Sequence, residues 1–127
     1  MRPKSTVLIT GSSSALGLRL VARFALAQHK VVLHGRNLVR LNEVRDGLAQ
    51  EYMVEFPYVV SDLSDSSSLM AVRDAITKYD VGIVINNAGM NPELAQAKKA
   101  MPAREVLEMM HVNALDKGIP HPAGWRQ

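Results

Sequence analysis

The stretch Thr10-Gly11-Ser12-Ser13-Ser14-Ala15-Leu16-Gly17 follows the apolar triplet Val7-Leu8-Ile9 and runs into a helix-like segment. A small-residue loop at a helix N-terminus presents backbone N–H groups and the positive end of the helix dipole, so the chemistry that suits it is the holding of an anion such as phosphate. The bland alternative is an ordinary strand-to-helix turn. The loop is not a Walker loop, because no Gly-Lys-Ser/Thr follows, and it is not the usual GxGxxG either. Ala15 stands where a glycine would give the most room. Metal chemistry has little to draw on. There is no cysteine, and His29, His34, His111 and His121 show no HxxxH or related ligand spacing.

The elements that must position this loop are legible as short apolar runs. Val7-Leu8-Ile9, Val31-Val32-Leu33, Tyr58-Val59-Val60 and Val81-Gly82-Ile83-Val84-Ile85 are rich in β-branched residues and short enough to be strands. Helix-period stripes lie between them: Leu16, Leu20, Phe24 and Ala27, then Leu38, Leu41 and Leu48, then Leu69, Val72, Ile76 and Tyr79. Asn37, and Ser64 or Asp65, are placed to cap the second and third helices. A further helix is expected from about Ala103 to Ala114.

Strands that are apolar on nearly every residue are covered on both faces, which is the habit of a parallel sheet between helices. Right-handed crossovers then give the strand order 3-2-1-4 in an α/β fold. Strands 1 and 4 meet where the winding reverses, and ligands of open α/β sheets sit beyond the carboxyl ends there. The loops at that point are 11–17 and 86–89.

Composition sets the bounds. A chain of 127 residues with 47% hydrophobic and 21% charged residues has the size and texture of one folded domain. The net charge of +3 comes from fifteen Lys and Arg spread along the chain, and aromatics make up only 5%, so nucleic-acid binding is not expected. No run is long and apolar enough for a signal-peptide core or a membrane span, and a cytoplasmic protein is the expectation. From Asp116 the texture changes to Lys117-Gly118-Ile119-Pro120-His121-Pro122-Ala123-Gly124-Trp125-Arg126-Gln127. Residues 1–115 therefore read as the domain and 116–127 as an irregular tail.

The second loop gives the first one its meaning. Ile85-Asn86-Asn87-Ala88-Gly89, taken with Thr10 to Gly17, resembles the short-chain dehydrogenase/reductase family, whose patterns are NNAG and TGxxxGxG. Asp62-Leu63 after the third strand, His111-Val112-Asn113-Ala114, and Arg36 after the second strand fall in register with the same family. The resemblance covers about residues 5 to 115. It implies that Gly11 permits the tight turn, that Ser12, Ser13 and Ser14 meet phosphate oxygens, and that Gly17 lets the helix pack closely. Leu16 and Leu63 fall in the same coenzyme-binding set. By the same resemblance the fold would be a partial Rossmann fold, Asp62 would accept from the adenine amino group, Asn86, Ala88 and Gly89 would line the adenosine ribose side, and Asn113 would be the family's structural and catalytic Asn. Singly, each residue has a plainer reading: Asp62 as a helix cap, Arg36 as a solvated cation, Asn113 as an exposed helix residue.

Arg36 also selects the coenzyme. Sites for NAD(H) place an acid at the end of the second strand to hold the ribose 2′-OH, whereas Leu33-His34-Gly35-Arg36-Asn37 has none. A guanidinium there suits a 2′-phosphate, so NADP(H) is expected in preference to NAD(H). Ala15 departs from the family's glycine by one methyl group, which puts coenzyme affinity, not the fold, at stake.

The family's chemistry also needs a Tyr with a Lys four residues later, and a Ser, all beyond the Asn helix. Tyr52, Tyr58 and Tyr79 are followed four places on by Phe56, Asp62 and Ile83. The chain thus reads as the NADP(H)-binding part of an oxidoreductase, truncated and without catalysis of its own. On this reading the fourth strand is an uncovered apolar edge. The alternative is an interaction module that forms a homo- or hetero-oligomer by pairing that edge with another chain, including a full-length relative.

Overall fold

The computed structural model describes residues 4–62, 68–87 and 101–105. β1 (Thr6–Ile9), β2 (Val31–Gly35), β3 (Tyr58–Val60) and β4 (Val81–Ile85) are all parallel and lie in the order β3-β2-β1-β4. Helices α1 (Ala15–Leu26), α2 (Leu38–Glu51) and α3 (Ser68–Lys78) make the crossovers. This is the expected fold class and strand order.

The sheet carries a core on each face. Leu8, Val32, Val81 and Val84 pack with Val72, Ala75 and Ile76 of α3 and with Ala103 on one face. Val7, Ile9, Val31, Leu33 and Ile85 pack with Val21 and Ala25 of α1 and Leu41, Val44 and Leu48 of α2 on the other. Burying both faces of each central strand is what the unbroken apolar runs require, and each buried Val, Leu or Ile contributes about 1.5–3 kcal/mol.

β4 changes register along β1. Thr6 pairs with Val81 but Val7 pairs with Ile83, so Gly82 is an extra residue in the ladder. The shift lets Val81 and Val84 reach the same core despite their odd spacing.

Three expectations need correction. Of the expected α1 stripe, Leu20 and Phe24 pack half-buried against the core, but Gly17, Val21 and Ala25 are its fully buried residues, while Leu16 is 61% exposed and Ala27 is also exposed. The helix is rotated this way because its first turn must press Gly17, not Leu16, against the β1 loop. On α2, Leu38 is 49% exposed and Val44 takes its place in the core. The free edge of β4 is also partly covered, since the two-residue strand β5 (Met101–Pro102) pairs antiparallel with it at Ile83 and Val84.

Local signals explain where the helices begin and end. Ser14 caps α1 by accepting from the Gly17 N–H at 3.0 Å, and Asn37 caps α2 by accepting from the Arg40 N–H at 3.1 Å. α1 is closed by its C-cap Ala27, and the next residue, Gln28, takes a left-handed φ of 71°. Residues 103–105 are helical, where the last helix was expected to start. Its continuation, the proposed caps Ser64 and Asp65, and the 116–127 tail lie outside the described residues. Among the described residues no helix is long and apolar enough to cross a membrane.

Candidate functional site: the loops beyond β1 and β4

The β1–α1 and β4 loops lie side by side because β1 and β4 are neighbours in the sheet. Thr10 leaves β1 buried, and its Oγ1 donates to Asn86 Oδ1 at 2.9 Å. Gly11 then takes a φ of 63°, a left-handed conformation that favours glycine. Its carbonyl accepts from the Ser14 N–H at 3.2 Å, the Ser14 hydroxyl at 3.0 Å and the Asn87 Nδ2–H at 3.0 Å. Asn87 Nδ2 also meets Ser14 Oγ at 3.0 Å. One asparagine therefore ties the second loop to both ends of the first.

Gly17 is the closest approach in the site. A Cβ on it would run into the Gly11 carbonyl oxygen and come within 3.0 Å of Asn87 Nδ2. Helix and loop can touch this closely only without a side chain.

The three serines do different work. Ser12 is fully buried; its hydroxyl donates to the Ile9 carbonyl and accepts from the His34 N–H, and its own N–H donates to the His34 carbonyl at 2.8 Å. Ser12 thus faces the sheet with both its polar groups engaged. Ser14 is exposed and is the helix cap, whereas Ser13 is half-buried. The N–H groups of Ser13, Ala15 and Leu16 have no acceptor among the described residues. They stand at the N-terminus of a twelve-residue helix, where the macrodipole adds positive potential. Ala15 is exposed in that first turn, so its methyl group lies at the surface of the loop and outside the core.

His34, at the end of β2, is 2% exposed. The Gly11 N–H donates to its Nδ1 at 3.1 Å, which leaves the ring proton on Nε2, and Nε2–H donates to Ser61 Oγ at 3.0 Å. Burial lowers its pKa from 6.5 to about 4, against the opposing pull of the Ser61 hydrogen bond and the Asp62 charge. Beyond it, Arg36 is exposed, with no carboxylate within ion-pair distance among the described residues. Asp62 is half-buried one residue after Ser61. Asn86 is 3% exposed, its side chain facing Thr10.

Of the residues expected from sequence, Gly11, Ser12, Ser13, Ser14, Leu16, Gly17, Arg36, Asp62 and Asn86 are brought to the carboxyl end of the sheet. Leu63, Ala88, Gly89 and Asn113 lie outside the described residues. Sequence reasoning missed two participants. Asn87 lies within the NNAG motif with no role implied by the resemblance, and His34 enters the sequence reading only as a possible metal ligand. The available signal for His34 was a histidine within an apolar strand, where burial forces both ring nitrogens to find partners. No group of side chains among the described residues is suited to hold a metal ion.

The family model for short chain dehydrogenases matches residues 5–116. The chain belongs to the short chain dehydrogenase family. An NADP-dependent 3-hydroxy acid dehydrogenase of Schizosaccharomyces pombe is 33% identical over 88 residues, covering 67% of this chain and 34% of that protein. The human inactive hydroxysteroid dehydrogenase-like protein 1 is 25% identical over 107 residues, 84% of this chain and 32% of its own length. Among solved structures, a short-chain dehydrogenase from Sphingobium yanoikuyae in complex with NADPH is 33% identical with a TM-score of 0.64, over 90% of this chain and 45% of that one. The chain spans about a third of the length of the curated relatives it matches.

Proposed function

We propose that this chain is the NADP(H)-binding portion of a short-chain dehydrogenase/reductase and that the 127 residues alone do not catalyse. The observation that carries the binding reading is the double tie of Asn87 to Gly11 and Ser14, which holds the two loops together beside helix-terminal N–H groups that have no acceptor among the described residues. The free amides of Ser13, Ala15 and Leu16 suit the pyrophosphate, with Gly11 and Gly17 giving the loop its shape. Ser12 serves that loop from behind, as its anchor to the sheet. Arg36 suits the 2′-phosphate, Asp62 with Leu63 the adenine, and Asn86, Ala88 and Gly89 the ribose side. When bound, NADP(H) would supply a hydride, and the residues named here would hold and orient it. The NADP-dependent relative and the NADPH complex of a structural neighbour support the choice of coenzyme. Asn113 belongs to the proposed catalytic set, which lacks its Ser, Tyr and Lys within this sequence.

Calorimetric titration tests the reading. NADPH is expected to bind at least about tenfold more tightly than NADH, because a charge-assisted bond to the 2′-phosphate contributes about 1.5–3 kcal/mol. Arg36→Ala should remove the difference. Equal or tighter binding of NADH by the unsubstituted chain would sink the NADP assignment. Loss of neither coenzyme on Gly11→Val would sink the cradle itself, since valine cannot take the Gly11 backbone conformation without strain.

A further inference from the structure

Four hydrogen bonds converge on His34, and they join regions that a dinucleotide would have to meet together. Three bind it to the β1–α1 loop: Gly11 N–H to Nδ1 at 3.1 Å, Ser12 N–H to the His34 carbonyl at 2.8 Å, and His34 N–H to Ser12 Oγ at 3.0 Å. The fourth runs from Nε2–H to Ser61 Oγ at 3.0 Å, beyond β3 and one residue before Asp62. Arg36 is two residues further along the chain from His34 itself. The ring is therefore a strut between the phosphate loop and the segments proposed to hold adenosine and the 2′-phosphate.

We propose that His34 is a positioning residue that fixes the phosphate loop relative to Arg36 and Asp62, so that a ligand spanning both regions meets them in register. The inference rests on the NADP(H) reading given above. An apolar residue at 34 would fill the space but leave the Gly11 N–H without its acceptor and Ser61 without the ring donor, freeing the two regions to move apart. The backbone bonds that tie Ser12 to His34, and the Ser61 N–H to the Gly35 carbonyl at 3.0 Å, would remain, so what is lost is the side-chain brace between the two regions and not their attachment to β2. The loop would then still form, with its distance to the adenosine side no longer set. A merely structural role would weaken every ligand alike, whereas a positioning role weakens spanning ligands most.

Titration of the full chain with NADPH and with adenosine 2′-monophosphate separates these cases, because the smaller ligand meets Arg36 and Asp62 without reaching the loop amides. His34→Phe is expected to weaken NADPH about tenfold, as for loss of one to two buried hydrogen bonds, and the monophosphate by less than about twofold. His34→Asn places Oδ1 where Nδ1 stood and should recover NADPH affinity to within about threefold of the unsubstituted chain by restoring the Gly11 bond. Nitrogen-15 NMR of the unsubstituted chain reads the strut without ligand: the imidazole should carry its proton on Nε2 with Nδ1 bare. Unchanged NADPH affinity in His34→Phe, an equal loss for both ligands, or a proton on Nδ1 overturns the proposal and leaves the coenzyme reading standing. Should His34→Phe not fold, His34→Asn and the NMR tautomer decide. An unsubstituted chain that binds neither ligand overturns the coenzyme reading and the proposal together.

Discussion

Gly17 and Arg73 are opposite extremes of what a buried position can tolerate. At Gly17 the space is already taken, because the Gly11 carbonyl and Asn87 Nδ2 occupy the place of a side chain. Gly17→Ala is therefore expected to destabilise the fold by about 1–3 kcal/mol despite alanine's better helix propensity, as overpacking outweighs the propensity gain. Urea unfolding checks it, and an unchanged midpoint would show that helix and loop can separate at no cost. Arg73 on α3 is 2% exposed, and among the described residues neither its Nε nor its Nη2 finds an acceptor. Replacing a buried, unpaired guanidinium by an apolar side chain of similar length removes its desolvation penalty. Arg73→Met should raise stability by about 1–2 kcal/mol in the same measurement, and a marked fall would reveal a carboxylate partner for Arg73.

Between elements, the junction of β1, β2 and β3 has a pH dependence written into it. The His34 imidazole titrates at about 4 in the folded chain against 6.5 for the free side chain. Between those values the unfolded chain binds a proton that the folded chain does not, so stability rises with pH through the window and falls as pH drops from 6.5 towards 4. The full difference corresponds to roughly 3 kcal/mol, and His34→Asn should flatten this part of the profile in chemical denaturation between those pH values. An unaltered profile in the variant would place the dependence on other groups. The legibility of the elements follows the same physics of burial. β1 and β2 are readable because a strand buried on both faces has no polar option, and the 3-2-1-4 order agrees with right-handed crossovers. The hydrophobic stripe of α1 matches the packed face at Leu20 and Phe24 and misses Gly17, because glycine carries no hydrophobic signal although it is the most constrained residue on that face. β5 was not legible: two residues ending in a proline are too few for a period. The roles of His34 and Asn87 depend on loops brought together by the sheet, and spacing along the chain does not encode that meeting.

For the molecule as a whole, a hydride donor bound at the β1 and β4 loops would not by itself be enough for turnover. Carbonyl reduction needs a proton delivered to the developing alkoxide, and a positioned acid of tuned pKa contributes about 10² to 10⁴ in rate. The three tyrosines are committed elsewhere. Tyr52 is the C-cap of α2 with its ring edge-on to Phe56, Tyr58 opens β3 beneath Arg45, and Tyr79 lies between α3 and β4 beside Lys30 and Lys78. Tyr58 and Tyr79 thus stand at the amino ends of parallel strands and Tyr52 ahead of β3, whereas Gly11 and Asn87 follow the carboxyl ends. Lys30 and Lys78 meet the Tyr79 ring on that far side, so their charge cannot assist a phenol at the coenzyme. Within the 127 residues Lys117 also lacks a tyrosine four places before it, that position being Asn113. The chain alone is therefore expected to oxidise NADPH no faster than buffer across a panel of aldehydes, ketones and quinones, even under conditions where calorimetry shows the coenzyme bound. Reproducible turnover that disappears in Gly11→Val would mean that the coenzyme site has recruited another proton donor, with Asn113→Ala the first variant to examine for it.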